Sequence, residues 1–297
     1  MSDQIKEAQK MRDAWAASDA KRDEGFKRAD VREMIDIPYT ISQTEDEKKY
    51  HLTDIYYPQG EEKDKYPVII SIHGGGWFYG DKELYSLYAT MLATFGYAVI
   101  NFNYRLSPKY KYPAGFEDVC ALMDFVKENA DTYSFDLERI YLVGDSAGAQ
   151  LAGQYSTWAN SEEYRDLFDF SNKYKVLKPR KVALNCGIYD MHTVHNRDTT
   201  LNDWYLPAEM DEKLSESFWE SLKYINSDFP ATYLMLSVND DLAEHTAPMK
   251  EALKKNNIKY VFREYGHDNK DDGHVFHLNM ASENGKICNL DEIKFFD

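Results

Sequence analysis

The sequence predicts an α/β protein with a mostly parallel central sheet and helices on both faces. Three observations carry this. Six short apolar runs, at 68–72, 98–102, 140–143, 182–184, 233–238 and 260–262, read as strands buried on both sides. The segments 84–95, 116–129, 149–160 and 247–256 space their apolar residues at helical intervals. With 297 residues the chain can build one large domain of this kind or two small ones, each with an ample core.

In chain order, residues 1–30 are highly charged and read as one or two amphipathic helices without the apolar centre of a signal peptide. Around Tyr50 the pattern changes to period two in His51-Leu52-Thr53-Asp54-Ile55-Tyr56-Tyr57, ended by Pro58 and Gly60, which predicts a half-buried strand. The buried runs and their helices follow. They are interrupted once, at 191–228, where Trp204, Tyr205, Leu206, Phe218 and Trp219 are too many aromatics for a solvated linker. That segment is expected to be a helical insertion packed over one end of the sheet. No internal repeat or low-complexity stretch is visible.

Net charge is −16, from 35 basic and 51 acidic residues, which argues against nucleic acid or an anionic membrane surface as partner. No apolar stretch approaches a membrane span. A cytoplasmic protein is expected, and a homodimer stays open. Cys120, Cys186 and Cys288 are widely spaced and odd in number, so neither a disulfide framework nor a zinc pattern is expected.

The chemistry starts at Gly144-Asp145-Ser146-Ala147-Gly148, directly behind the run 140–143 and ahead of the helical pattern. Glycines two residues either side of the serine allow a sharp strand-to-helix turn with Ser146 at its apex, because a Cβ at either place would collide with neighbouring chain. Such a serine needs a histidine base, a carboxylate to orient it, and amide donors for an oxyanion. His73-Gly74-Gly75-Gly76, after the run 68–72, offers the amides of Gly75 and Gly76, joined by that of Ala147. A phosphate loop would need Lys-Ser or Lys-Thr after the glycines, and Trp77-Phe78 stand there instead. These two aromatics are expected to wall an acyl pocket.

The acid should close the late strand at 233–238, where Asn239-Asp240-Asp241-Leu242 offers Asp240 first and Asp241 second. The other aspartate would cap the helix starting near Thr246. Of the histidines beyond the last strand, His274 in Asp272-Gly273-His274-Val275-Phe276-His277 sits on a loop with a helical start behind it. His267 follows the strand too soon and His277 would lie one turn into a helix. His51, His192, His195 and His245 read as surface or locally bonded residues. The stretch 268–273 is a poor calcium loop, with lysine at the third ligand position and no closing glutamate. No paired histidine spacing implies a metal site, so neither metal nor cofactor is expected.

Together these residues resemble the hormone-sensitive-lipase-like esterases of the α/β-hydrolase fold. His73-Gly74-Gly75-Gly76 and Gly144-Asp145-Ser146-Ala147-Gly148 match that family's two hallmarks, and Tyr104-Arg105-Leu106-Ser107-Pro108 with Tyr112-Pro113-Ala114 and Phe116-Glu117-Asp118-Val119 matches a third stretch that braces the site. The resemblance spans roughly 50–280. It implies Ser146 as nucleophile, Asp240 as acid and His274 as base, with Gly75, Gly76 and Ala147 as oxyanion donors. It implies a helical cap from residues 1–45 and 191–228 over a core of 46–190 and 229–297. It also implies short- to medium-chain acyl esters, hydrolysed through an acyl-enzyme. Two departures are Asp241-Leu242 where the family commonly has Pro-Leu after its acid, and an extended polar lead-in to His274. The alternatives are a deacetylase, amidase or formamidase using the same machinery on a sugar acetate or small amide, and a catalytically silent ligand-binding protein.

Overall fold

The computed structural model describes residues 3–60, 62–193 and 203–297. Eight strands form one sheet: β1 (Val31–Pro38), β2 (Leu52–Pro58), β3 (Tyr66–Ile72), β4 (Ala98–Phe102), β5 (Phe135–Asp145), β6 (Lys181–Asn185), β7 (Ala231–Ser237) and β8 (Tyr260–Tyr265). Their order is β1-β2-β4-β3-β5-β6-β7-β8. The pairs β1–β2 and β2–β4 are antiparallel, and every pair from β4–β3 to β7–β8 is parallel.

The described helices are α1 (Asp3–Arg22), α2 (Ser86–Ala93), α3 (Ala114–Glu128), α4 (Ala147–Asn160), α5 (Glu162–Arg165), α6 (Glu212–Trp219), α7 (Thr246–Lys255) and α8 (Glu283–Phe296). Side chains alternate across the sheet. Val68, Ile70 and Ile72 of β3 join Phe116, Val119, Leu151 and Trp158 of α3 and α4 on one face. Ile69 and Val99 join Tyr88 and Leu92 of α2, with Cys288 and Phe296 of α8, on the other. Both faces are thus covered, as the continuous apolar runs require.

Two strands differ from the sequence reading in burial: β2, expected half-buried, is buried from Thr53 to Pro58, and β8, expected buried on both sides, is an edge strand only partly covered. Two elements differ in kind. Residues 1–45 were expected as helices, yet Val31–Pro38 is a strand on the sheet's edge, paired to β2 with a bulge between Met34 and Ile37. Six of its eight residues are exposed and the other two only partly buried, so no alternation betrayed it; helix is confined to 3–22 in this stretch. Behind His274, the expected helical start is a 3₁₀ turn, Phe276–Leu278, and the long helix begins later, at Glu283. The insertion at 191–228 contributes α6, with Trp204, Tyr205 and Phe218 buried; its residues 194–202, and with them His195, lie outside the described residues. No described helix is long and apolar enough to cross a membrane.

Candidate active site

The carboxyl ends of β3, β5 and β7, with the loop after β8, converge on one cavity of about 400 Å³. At the end of β5 the backbone turns sharply. Ser146 adopts φ 52° and ψ −120°, and its amide donates to the Asn185 carbonyl at 2.9 Å, tying the turn to β6. A Cβ on Gly144 would strike the backbone of Gly148, and one on Gly148 would strike the carbonyls of Ile72 and His73. Both flanking glycines are therefore required by contact, as the sequence argument held.

His274 lies on the loop after β8, where Val275 takes a left-handed φ of 51°. Its Nε2 is 2.9 Å from Ser146 Oγ and its Nδ1 is 2.8 Å from Asp240 Oδ2. Asp240, not Asp241, faces the imidazole. It sits two residues past the expected strand end, buried, and its other oxygen accepts the Leu242 amide at 2.8 Å. Burial works to raise its carboxyl, but the His274 contact and charge, the Leu242 amide and the Cys186 thiol together hold it below the usual range. Neither aspartate caps α7, whose N-cap position is His245 without a side-chain cap bond.

The acid and histidine loops are fastened to each other. Asn239 Nδ2 donates to the carbonyls of Gly266 and Asn269, and the Ser237 hydroxyl donates to the Asp272 carbonyl. The buried Asp272 carboxylate accepts from Ser282 at 2.7 Å and Asn284 at 2.8 Å, anchoring the histidine loop to the start of α8.

Gly75 and Gly76 line the cavity beside Ser146, with φ of 108° and 57°, and their amides donate to no group among the described residues. Ala147 begins α4, where the first amides have no partner within the helix. The glycine loop is held from behind. Tyr104 stacks on His73 at 4.1 Å and donates its hydroxyl to the His73 carbonyl at 2.9 Å, while Arg105 grips Asp118 through Nε and Nη2 at 2.7–3.0 Å. The bracing expected of that segment is present.

Trp77 and Phe78 are a correction. Neither lines the cavity. Trp77, turned back by a positive φ of 63°, donates from Nε1 to Gln150 at 3.1 Å and stacks on Tyr205 at 4.7 Å. Phe78 is fully buried between Ala8 and Trp204. The cavity's apolar wall comes from Trp15, Leu84, Ile188, Leu242, Val275 and Leu278, which no short motif marks. Trp15 belongs to α1, which docks on the loop behind the glycines: Arg12 donates to the carbonyls of Phe78 and Ser107 at 2.6 and 2.7 Å, and Tyr79 donates to Asp19 at 2.7 Å.

Two buried carboxyls also lie beside the turn. Burial pushes Asp145 up to about 7 against the opposing bond from Tyr85. Glu292 of α8 is likewise pushed up to about 7 by burial, opposed by Asn185 and Tyr88 and reinforced by the charge of Asp145. The sequence reading assigned neither a role. Among the described residues one trio of metal-ligating side chains is close enough to share an ion, Cys186, Asp240 and His274, with ligand atoms within 4.8 Å. Asp240 and His274 are engaged with each other, and burial keeps the Cys186 thiol protonated.

A family model described as BD-FAE matches residues 53–253. An acetyl esterase of Salmonella schwarzengrund is 33% identical over 114 residues, 38% of this chain and 34% of that protein, so the chain spans about a third of the curated relatives it matches. Esterase B from Lactobacillus rhamnosis superposes with a TM-score of 0.83 at 24% identity, covering 100% of this chain and 96% of the other. An α/β-hydrolase enzyme from the metagenome of Lake Arreo gives 0.70 at 21% identity, over 94% and 85% of the two chains. The likeness shows a shared α/β-hydrolase fold.

Proposed function

Because the chain belongs to the BD-FAE family, we propose that it is a serine carboxylesterase, of the hormone-sensitive-lipase-like kind, acting through an acyl-enzyme. The observation that carries this is the unbroken line Ser146–His274–Asp240, with contacts of 2.9 and 2.8 Å at the floor of an apolar cavity. With Nδ1–H donating to Asp240, the other ring nitrogen accepts the Ser146 proton as Oγ attacks the ester carbonyl. The carbonyl oxygen becomes an anion, which the amides of Gly75, Gly76 and Ala147 receive. His274 then protonates the departing alcohol, and water repeats the sequence to release the acid. Removing one such donor typically costs on the order of 10²-fold to 10³-fold in rate.

The cavity supports a short- to medium-chain acyl group. Its wall is almost wholly apolar, and each methylene buried there contributes about 0.8 kcal/mol. One alternative has its own support: relatives named acetyl esterase favour a small acetyl group, on an alcohol or a sugar, over a longer chain. A panel of p-nitrophenyl esters of rising chain length, with sugar acetates and an anilide, separates these. Ser146→Ala is expected to abolish hydrolysis and fluorophosphonate labelling while melting like the parent. Retained turnover in that variant would overturn the assignment.

A further inference from the structure

The glycine loop and the serine turn belong to different strands, and the rate of an esterase depends on the distance between them. One side chain bonds to both. The Gly74 amide donates to the Tyr85 hydroxyl at 2.8 Å, and that hydroxyl donates to Asp145 Oδ2 at 2.8 Å, one residue before Ser146. All three are buried, and Gly74 sits so close to Asp145 that a Cβ there would strike its carboxylate. Tyr85 is itself fixed as the N-cap residue of α2, on the core side of the loop.

We infer that Tyr85 is a positioning residue, whose hydroxyl sets the Gly75 and Gly76 amides at their working distance from Ser146. The inference rests on the esterase reading above. A hydroxyl can bridge an amide and a carboxylate because it accepts and donates at once, whereas phenylalanine can do neither. Without it the Gly74 N–H and the Asp145 carboxylate face each other across a gap, and the loop loses the contact that registers it on the turn. Tyr85 also lines the cavity, but through a ring that phenylalanine keeps, so ground-state binding of the acyl chain is spared. Displacing oxyanion donors by a fraction of an ångström weakens only what forms in the transition state.

One turn along the same helix, Tyr88 provides an internal control. Its hydroxyl donates to Glu292 at 2.7 Å, on the β6 side, and touches neither the glycine loop nor the cavity.

The test compares Tyr85→Phe, Tyr88→Phe and the parent as full chains. Tyr85→Phe should lower kcat by about 10-fold to 100-fold with KM within about 3-fold, the scale expected for misaligned donors. The Ki of a trifluoromethyl ketone, which forms a tetrahedral oxyanion on the serine, should rise by the same factor. Tyr88→Phe should keep kcat within about 3-fold while melting lower, as a lost buried hydrogen bond does. If Tyr85→Phe does not fold, Asp145→Asn carries the test, because it keeps an oxygen for the hydroxyl but without its charge; a kcat loss of about 3-fold to 10-fold at constant KM is then expected. Unchanged kcat, a loss carried by KM, or equal losses in Tyr85→Phe and Tyr88→Phe would overturn the inference. A parent protein with no hydrolysis and no fluorophosphonate labelling would instead fell the esterase reading itself.

Discussion

Glu292→Gln should stabilise the protein at pH 8 and not at pH 5. Glu292 is completely buried, with Tyr88 donating to one oxygen at 2.7 Å and Asn185 to the other at 2.6 Å. Burial, with the nearby charge of Asp145, raises its carboxyl from 4.5 to about 7 in the folded protein. Between those values the folded chain keeps a proton that the unfolded chain has released. Stability contributed at low pH is therefore lost as pH rises from about 4.5 through 7, and levels off above that. The full loss is about 3 kcal/mol, and most of it falls between pH 5 and pH 8.

Glutamine has no such titration, and its amide can donate to the buried Asn185 Oδ1, which has no hydrogen-bond partner among the described residues. Exchanging one acceptor for a donor costs about 1 kcal/mol at every pH. The variant should thus be equal or slightly weaker at pH 5 and more stable by about 2 kcal/mol at pH 8. Urea unfolding of both proteins, followed by tryptophan fluorescence at pH 5, 6, 7 and 8, measures the difference directly, and contributions common to both cancel. A stability difference that stays constant across this range would refute the reasoning.

The site makes further demands. Asp240→Asn should lower kcat by about 10⁴-fold by leaving His274 in the wrong tautomer, whereas Asp241→Asn should change it by less than about 3-fold; steady-state kinetics on one ester decides between the two aspartates. Trp15→Ala removes cavity wall and should shift the preferred acyl chain to longer esters. Trp77→Ala lies in the core and should cost about 3 to 5 kcal/mol of stability while leaving the chain-length order intact, read from melting curves and the same ester panel.

The residues most legible in the sequence were those whose chemistry is local. Ser146 needs glycines at fixed offsets because its turn is made within five residues, and those offsets survive as a pattern. The carboxylate expected beside the histidine narrows to two neighbours by its place beyond a strand, and only the approach of His274 separates Asp240 from Asp241. Continuous apolar runs disclosed the inner strands, since those strands are covered on both faces. The edge strand Val31–Pro38 left no such mark, because its sides face solvent and a neighbour on one edge suffices to order it. Trp77 and Phe78 depart for a related reason: adjacency to the glycines predicts proximity, but consecutive positive φ values at Gly75, Gly76 and Trp77 turn both side chains into the interior. Asp145 and Glu292 look like ordinary solvated acids until tertiary packing encloses them, and nothing in a linear pattern records that they lie 147 positions apart in sequence yet feel each other's charge.

The cavity that holds Ser146 is walled by Trp15 of α1, closed by His274 and backed, through Asn185, by Glu292 of α8. During synthesis the chain leaves the ribosome N-terminus first. The serine turn is therefore made long before His274 exists, and α1, which buries only Ala8, waits for a loop that the unfinished sheet cannot yet steady. A nascent chain stopped at 253 would contain the whole stretch by which the family is recognised. It would still lack His274, β8 and α8, and should neither turn over an ester nor hold its fold. The part of this protein that identifies it is shorter than the part that can work.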